Sequence, residues 1–278
     1  MSILSSIGRI ATEFSPEVNG KPAWACVIIK HNNPCGVALS SKSMTDAFQA
    51  ALDADPLSAF GGVVAYNHPV DEATAGIMKD VFLEVIIAPG FSEEAMTVLT
   101  GKKNLRLVKR PLPDTSKQTG FDLRQVDEHL FLAQINDPGK EIRIDRLAEL
   151  NALSQAAGKP VSAQQLSDLV FAWKVAKHVK SNAIVLAKDG RTVGIGGGQT
   201  SRIGALENAL RTACDEAKDA VMASDGFFPQ VDNIHAAAQA RIAAIIQPGG
   251  SIKDKDVIAL AEESNIAMLM TGVREFRH

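Results

Sequence analysis

The chain has 278 residues, 46% of them hydrophobic, with 29 Lys+Arg against 32 Asp+Glu and a formal net charge of -3. That balance leaves no basic footprint for nucleic acid, and no apolar run approaches the ~18 residues of a membrane span. Small-molecule chemistry in a chain large enough for one big core or two smaller units is the expectation.

The first 14 residues, MSILSSIGRIATEF, lack the long apolar core and small-residue cleavage site of a signal peptide. The three cysteines, Cys26, Cys35 and Cys214, have no framework spacing, so disulfides are not expected and a cytoplasmic location is. The run ACVII (25–29) reads as a buried strand entering the loop KHNNPCG (30–36). A helix follows over SMTDAFQAALDA (43–54), with Ser43 and Thr45 as candidate caps, and then a strand at GVVAY (62–66). DEATAGIMKDVF (71–82) and SEEAMTVL (92–99) read as helices, EVIIAP (84–89) and LRLVK (105–109) as strands. This alternation predicts an α/β sheet.

Residues 111–160, with Pro111, Pro113, Pro138 and Pro160, break the rhythm and read as a surface connection between a first unit (1–110) and a second (161–278). The second opens on an amphipathic helix within 162–181 and continues into NAIVLAKDGRTVGIG, where Asp189-Gly190 turns two strands into a hairpin. Helix 201–218, strand 242–247, helix 254–264 and strand 266–270 complete it. ACVIIKHNNPCG and IAAIIQPGG both run from a buried strand into a Pro/Gly loop, so the halves read as similar layered units, duplicated or merely sharing a common kind of loop.

Lys30 and His31 are adjacent, so they serve one site only if the chain turns at His31, and Asn32-Asn33-Pro34 is the expected turn. One reading is a paired proton-transfer site with His31 as base; the other is a capped strand end with a solvated Lys and a hydrogen-bonded His. Zinc is not expected: the deaminase pattern needs H-x-E and P-C-x-x-C, and here Asn33 and Ala38 stand in place of the Glu and the second Cys. His68, His129, His178 and His235 show no metal-ligand spacing either. GIGGGQTSR (194–202) places backbone N–H groups and a helix start beside Arg202, which suits either an anion or a plain tight turn; Gly249-Gly250 reads the same way. Phe227 and Phe228 cannot easily face one core, so one of them is a candidate to stack on a flat ligand.

Four stretches, KHNNPCG, DPLSAFGG (55–62), SNAIVLAKDGRTVGIGGGQTSR (181–202) and ASDGFFP with IQPGGSI and the closing REFRH, resemble in sequence and order the transformylase part of the AICAR formyltransferase/IMP cyclohydrolase family, over about residues 23–278. The resemblance implies two cytidine-deaminase-like three-layer α/β/α subdomains. It implies formyl transfer from 10-formyltetrahydrofolate to the 5-amino group of AICAR by a stand-alone transformylase, with Lys30, His31 and Asn182 catalytic. Phe60, Gly61, Glu84, Arg202, Phe227, Arg274 and Phe276 would contact the nucleotide, and Ile203, Pro229 and Asp232 the folate. Asp225 and His278 fall where some relatives hold a structural potassium ion, and the family shares its sites across a homodimer. The family's cyclohydrolase domain, of about 200 residues, and two nucleotide-holding stretches upstream of KHNNPCG are missing, and Gln230 stands where Phe is expected. A formyltransferase for another amine and a non-catalytic paralogue that binds nucleotide or a partner chain are therefore the alternatives.

Overall fold

The structure is a computed structural model that describes residues 14, 17–18, 21–111, 121–135 and 160–277. Most of the expected connection at 111–160, the start of the chain and His278 lie outside the described residues.

Ten strands form one continuous mixed sheet. Its first half contains β3 (Trp24–Lys30), β4 (Asn33–Ser40), β5 (Gly62–Tyr66), β6 (Leu83–Ala88) and β7 (Arg106–Lys109). The second contains β10 (Ile184–Lys188), β11 (Arg191–Gly196), β12 (Val221–Ser224), β13 (Ala244–Gln247) and β14 (Ala267–Met270). The short pairs β1 (Glu17–Val18) with β2 (Lys21–Pro22), and β8 (Phe121–Gln125) with β9 (Phe131–Ile135), stand apart from it. Among the described residues the α-helices are α1 (Met44–Ala54), α2 (Pro56–Ala59), α3 (Glu72–Met78), α4 (Glu93–Leu99), α5 (Ala163–Ala176), α6 (Arg202–Ala213), α7 (Asp232–Gln239) and α8 (Asp254–Glu263). Among the described residues no helix is long and apolar enough to cross a membrane.

Alternating side chains divide the core between the faces of the sheet. Ala25, Val27, Ile29, Val185, Ala187 and Ala223 pack beneath α5. On the opposite face Cys26, Ile28, Val64 and Ile86 meet α1, α3 and α4, while Ile184, Leu186, Met222 and Ile245 meet α6, α7 and α8. Of the two candidate caps, Ser43 accepts from the Asp46 N–H, whereas Thr45 lies inside α1; Asp71, Ser92 and Ser201 also each accept from a first-turn N–H, and Ser162 makes a reciprocal capping box with Gln165.

The sheet order β14-β13-β12-β10-β11-β4-β3-β5-β6-β7 is the same five-strand pattern twice, joined through β11 and β4. The correspondence extends to single residues. Cys26 pairs with Tyr66, Val27 with Ala65 and Ile28 with Val64; 158 positions further on (26 to 184, 66 to 224), Ile184 pairs with Ser224, Val185 with Ala223 and Leu186 with Met222. Gly36 of β4 lies so close to α1 that a Cβ would stand 1.9 Å from the Ala51 carbonyl oxygen, and a Cβ at Gly194 of β11 would stand 2.1 Å from the Ala209 carbonyl oxygen. A repeated close approach at matched positions is what duplication of one folding unit produces. It also corrects the alignment expected from sequence. ACVII leads the first hairpin, whereas IAAIIQ holds the fourth strand of its unit, and its counterpart is β6 with the Pro89-Gly90 that follows it.

At the seam Arg191 pairs with Ala38, and the buried Thr192 hydroxyl takes the place of further ladder bonds, accepting from Val37 N at 3.0 Å and donating to Val37 O at 3.3 Å. Asp189 and Gly190, both at positive φ, make the expected type I′ turn between β10 and β11.

Candidate active site

The chain turns one residue earlier than Asn32-Asn33-Pro34 suggests. His31 (φ 49) and Asn32 (φ 65) form a two-residue turn, Lys30 pairs with Asn33, and Asn33 and Pro34 already belong to β4. Pro34 is accommodated next to a register shift that leaves Cys35 as the extra residue. His31 is exposed at the tip, in a backbone region that costs a β-carbon-bearing residue about 1–2 kcal/mol.

Lys30 is fixed from the other side. Its Nζ donates to the carbonyls of Phe60 (2.7 Å) and Gly61 (2.9 Å) at the end of α2. Gly61 has φ +66, and a Cβ there would sit 2.8 Å from Lys30 Nζ, so glycine is required twice over. The duplicated position repeats the first of these bonds: Lys188 Nζ donates to Lys218 O at 3.1 Å (30 to 188, 60 to 218). Lys30 thus inherits a structural duty, while the imidazole beside it has no counterpart, since Asp189 stands there.

Lys30, His31, Asn33, Cys35, Asp55 and Phe60 line a cavity of about 400 Å³. Phe60 is 66% exposed and leans on Phe82 with ring centroids 4.9 Å apart. Glu84 is exposed on β6 and is not among the residues lining this cavity. Burial and then the Asp55 carboxylate push the Cys35 thiol up to about 12, and its Sγ lies 3.5 Å from Ile28 O, so it stays protonated at neutral pH. Among the described residues no three His, Cys, Asp or Glu side chains cluster as a metal site.

Asn182, Arg202, Ile203, Phe227, Pro229, Asp232 and Phe276 line a second cavity of about 390 Å³. Asn182 Nδ2 donates to Gln199 O at 2.8 Å and its Oδ1 accepts from Arg202 at 2.8 Å, which leaves one amide hydrogen for a ligand. Phe228 is wholly buried whereas Phe227 lines the cavity with the Arg274 guanidinium over its ring at 4.7 Å, so the two phenylalanines divide as expected.

The cation beside GIGGGQTSR already has an anionic partner within the chain. Arg202 is buried, ion-paired with Asp225 and bonded to Ser224 Oγ (3.0 Å). Gly196 and Gly197 answer to packing against Ala205 O and Val179. The N–H groups of Gly249 and Gly250 are likewise taken, by the Gln247 and Asp254 side chains.

Asp225 is wholly buried, and its carboxylate also accepts from Ser181 Oγ (2.5 Å) and Ala183 N (3.1 Å). These donors and the guanidinium take three of the carboxylate's about four acceptor positions, and His278 lies outside the described residues. The same knot holds the tail. Glu275 N donates to Asp225 O, and Arg277 exchanges hydrogen bonds with Ser181, placing Phe276 at the cavity.

Asn33 joins the cavities: its Oδ1 accepts from Lys180 N at 2.9 Å, two residues before Asn182. Sequence reasoning passed over Asn33, Ser181 and also Asn233, whose buried Oδ1 has no partner while its Nδ2 donates to Asp232. Nothing local in the sequence marks Asn33 and Ser181, because Lys180 and Asp225, their partners, lie far along the chain.

The sequence profile described as the AICARFT/IMPCHase bienzyme matches residues 7–212. The chain is 47% identical over 253 residues to the bifunctional purine biosynthesis protein PurH of Caldicellulosiruptor bescii, covering 91% of this chain and 47% of that protein. To PurH of Bacillus subtilis it is 46% identical over 262 residues, covering 91% and 48%. It therefore spans about half the length of these curated relatives. Among solved structures, Acinetobacter baumannii RibD matches at a TM-score of 0.28 and 14% identity over 46% of this chain and 33% of that one. On the profile match and the identity to PurH, the chain belongs to the AICARFT/IMPCHase bienzyme family.

Proposed function

We propose that the chain transfers the formyl group of 10-formyltetrahydrofolate to the 5-amino group of AICAR. The observation that carries this reading is the pairing of an anchored Lys30 with an exposed His31 on a turn that makes the imidazole conformationally expensive. A strained residue with no structural partner fits a chemical duty.

The 5-amino group is a poor nucleophile because its lone pair is delocalised into the imidazole ring. As its nitrogen bonds to the formyl carbon, His31 takes the proton that the nitrogen sheds, and the remaining amide hydrogen of Asn182 donates to the carbonyl oxygen as it gains negative charge. Breaking the bond between that carbon and N10 returns a proton to N10, with Lys30 assisting, and yields formyl-AICAR and tetrahydrofolate. Phe227, beneath Arg274, offers an aromatic face for the nucleotide, and Pro229, Ile203 and Asp232 supply the folate wall. No step is assigned to a metal ion.

In this reading the sites are completed in a homodimer. The exposed apolar Leu57, Phe60 and Phe82 beside the first cavity support such a contact.

The test is tetrahydrofolate release with 10-formyltetrahydrofolate and AICAR, followed by other aminoimidazoles. Turnover with AICAR is expected. Turnover only with another amine would move the assignment to a different acceptor, and none at all would favour a non-catalytic paralogue.

A further inference from the structure

We propose that Asn33 is a positioning residue that docks the Lys30–His31 turn onto the segment carrying Asn182. The two duplicated hairpins are fastened to the neighbouring half in different ways. In the second, the turn is fastened to the neighbouring half by a backbone bond, Leu39 N donating to Gly190 O at 2.8 Å. The corresponding pair at the first hairpin is Gly197 and Asn32 (39 to 197, 190 to 32), and among the described residues no backbone hydrogen bond joins them.

The Asn33 side chain stands in for the missing bond, its Oδ1 accepting from Lys180 N at 2.9 Å across the seam. Gly197 clears the ground for it. Asn33 Nδ2 lies 3.6 Å from where a Cβ at 197 would be, and that Cβ would also meet Val179 Cγ1 at 2.3 Å. The residue matching Asn33 in the second hairpin, Arg191, instead pairs with Glu216 of its own half. At this matched position, therefore, only the hairpin that carries His31 sends its side chain across to the other half. Lys180 is two residues from Asn182, so one amide sets the separation between the proton-accepting imidazole and the oxyanion donor of the proposed transfer.

This role rests on the transformylase reading, and the experiment separates the two. Asn33→Ala removes the acceptor while the strand pairing of residue 33 with Lys30 remains; Asn33→Asp keeps an acceptor at the same place. Hydrogen–deuterium exchange over residues 30–34, which involves no chemistry, is followed beside steady-state kinetics and thermal melting. Asn33→Ala is expected to speed exchange in the turn and lower kcat about tenfold, with KM for both substrates within about twofold and melting near wild type. Asn33→Asp is expected to restore protection and most of the turnover. Wild-type exchange in Asn33→Ala, a loss of activity that merely tracks unfolding, or an Asn33→Asp protein no better than Asn33→Ala would overturn the proposal. A wild type that transfers no formyl group, together with a turn loosened by Asn33→Ala, would leave the docking in place and defeat the transformylase reading instead.

Discussion

Asp225 stands to Ala183 as Asn67 stands to Ala25. Each side-chain Oδ1 accepts from that alanine's N–H, at 3.1 and 2.8 Å, at matched positions of the duplicated unit (25 to 183, 67 to 225). The second acceptor or donor of each side chain also goes to a matched residue: Asn67 Nδ2 donates to Ala23 O, and Asp225 Oδ2 accepts from Ser181 Oγ (23 to 181). What differs is the charge. Where Arg202 pairs with Asp225, the first half has the buried Met44.

This equivalence predicts a rescue. Arg202→Met alone leaves a buried carboxylate without its cation and should cost about 3–5 kcal/mol. Adding Asp225→Asn recreates the Met44–Asn67 arrangement and should recover most of that loss. Denaturant unfolding of the two single variants, the double variant and the wild type measures it. A double variant no more stable than Arg202→Met would show that the two positions are not interchangeable.

Two glycines should respond in opposite directions to alanine. Gly36→Ala drives a methyl group into the Ala51 carbonyl oxygen of α1, a backbone atom 1.9 Å away, and should destabilise by about 3 kcal/mol or prevent folding. A Cβ added at Gly76, inside α3, would meet nothing within 4 Å beyond its own helix, so Gly76→Ala should stabilise by about 0.5–1 kcal/mol. Thermal melts of the pair decide both.

Much of this architecture is legible in the sequence because it is local. Caps at Ser43, Ser92 and Ser162, the Asp189-Gly190 turn and the helical spacing of 201–213 all act within a few residues. β4 was hidden. Asn33, Pro34 and Gly36 are poor strand formers, and their segment becomes a strand because β3 and β11 flank it. The same limit applies to the site. Lys30 and His31 stand out by residue type, but that Arg202 pairs with Asp225, and that Asn33 reaches Lys180, depends on contacts far apart in the chain.

The cysteines should react with a thiol reagent in a set order. Cys214 is exposed, whereas burial pushes Cys26 and Cys35 upward from the ordinary 9.0, Cys35 to about 12. In the native protein at pH 7.5 one thiol should react quickly with a disulfide reagent, and unfolding should release the other two. The sign for stability follows from the same shifts. Between about pH 9 and 12 the unfolded chain ionises thiols that the folded chain keeps protonated, so the unfolded state binds fewer protons and stability falls as pH rises, by up to about 1.4 kcal/mol per pH unit for each thiol. Cys35→Ser should flatten that slope; an unchanged slope would remove Cys35 from the account.

His31 tests whether chemistry or structure holds that residue at the turn. Its φ of 49 suits asparagine better than histidine, and asparagine is also favoured at the first position of a type I′ turn. His31→Asn should therefore melt at or above the wild-type temperature. If His31 accepts the proton of the attacking amine, the same variant should lose turnover by about 10² or more while nucleotide and folate still bind, because asparagine cannot take up the proton. A histidine kept for its fold would show the reverse, with lower stability and unchanged turnover per folded molecule. Lys30→Met should behave differently from both. It strips the donor from the Phe60 and Gly61 carbonyls, so stability and turnover should fall together. Full turnover in a well-folded His31→Asn protein would end the proton-transfer assignment.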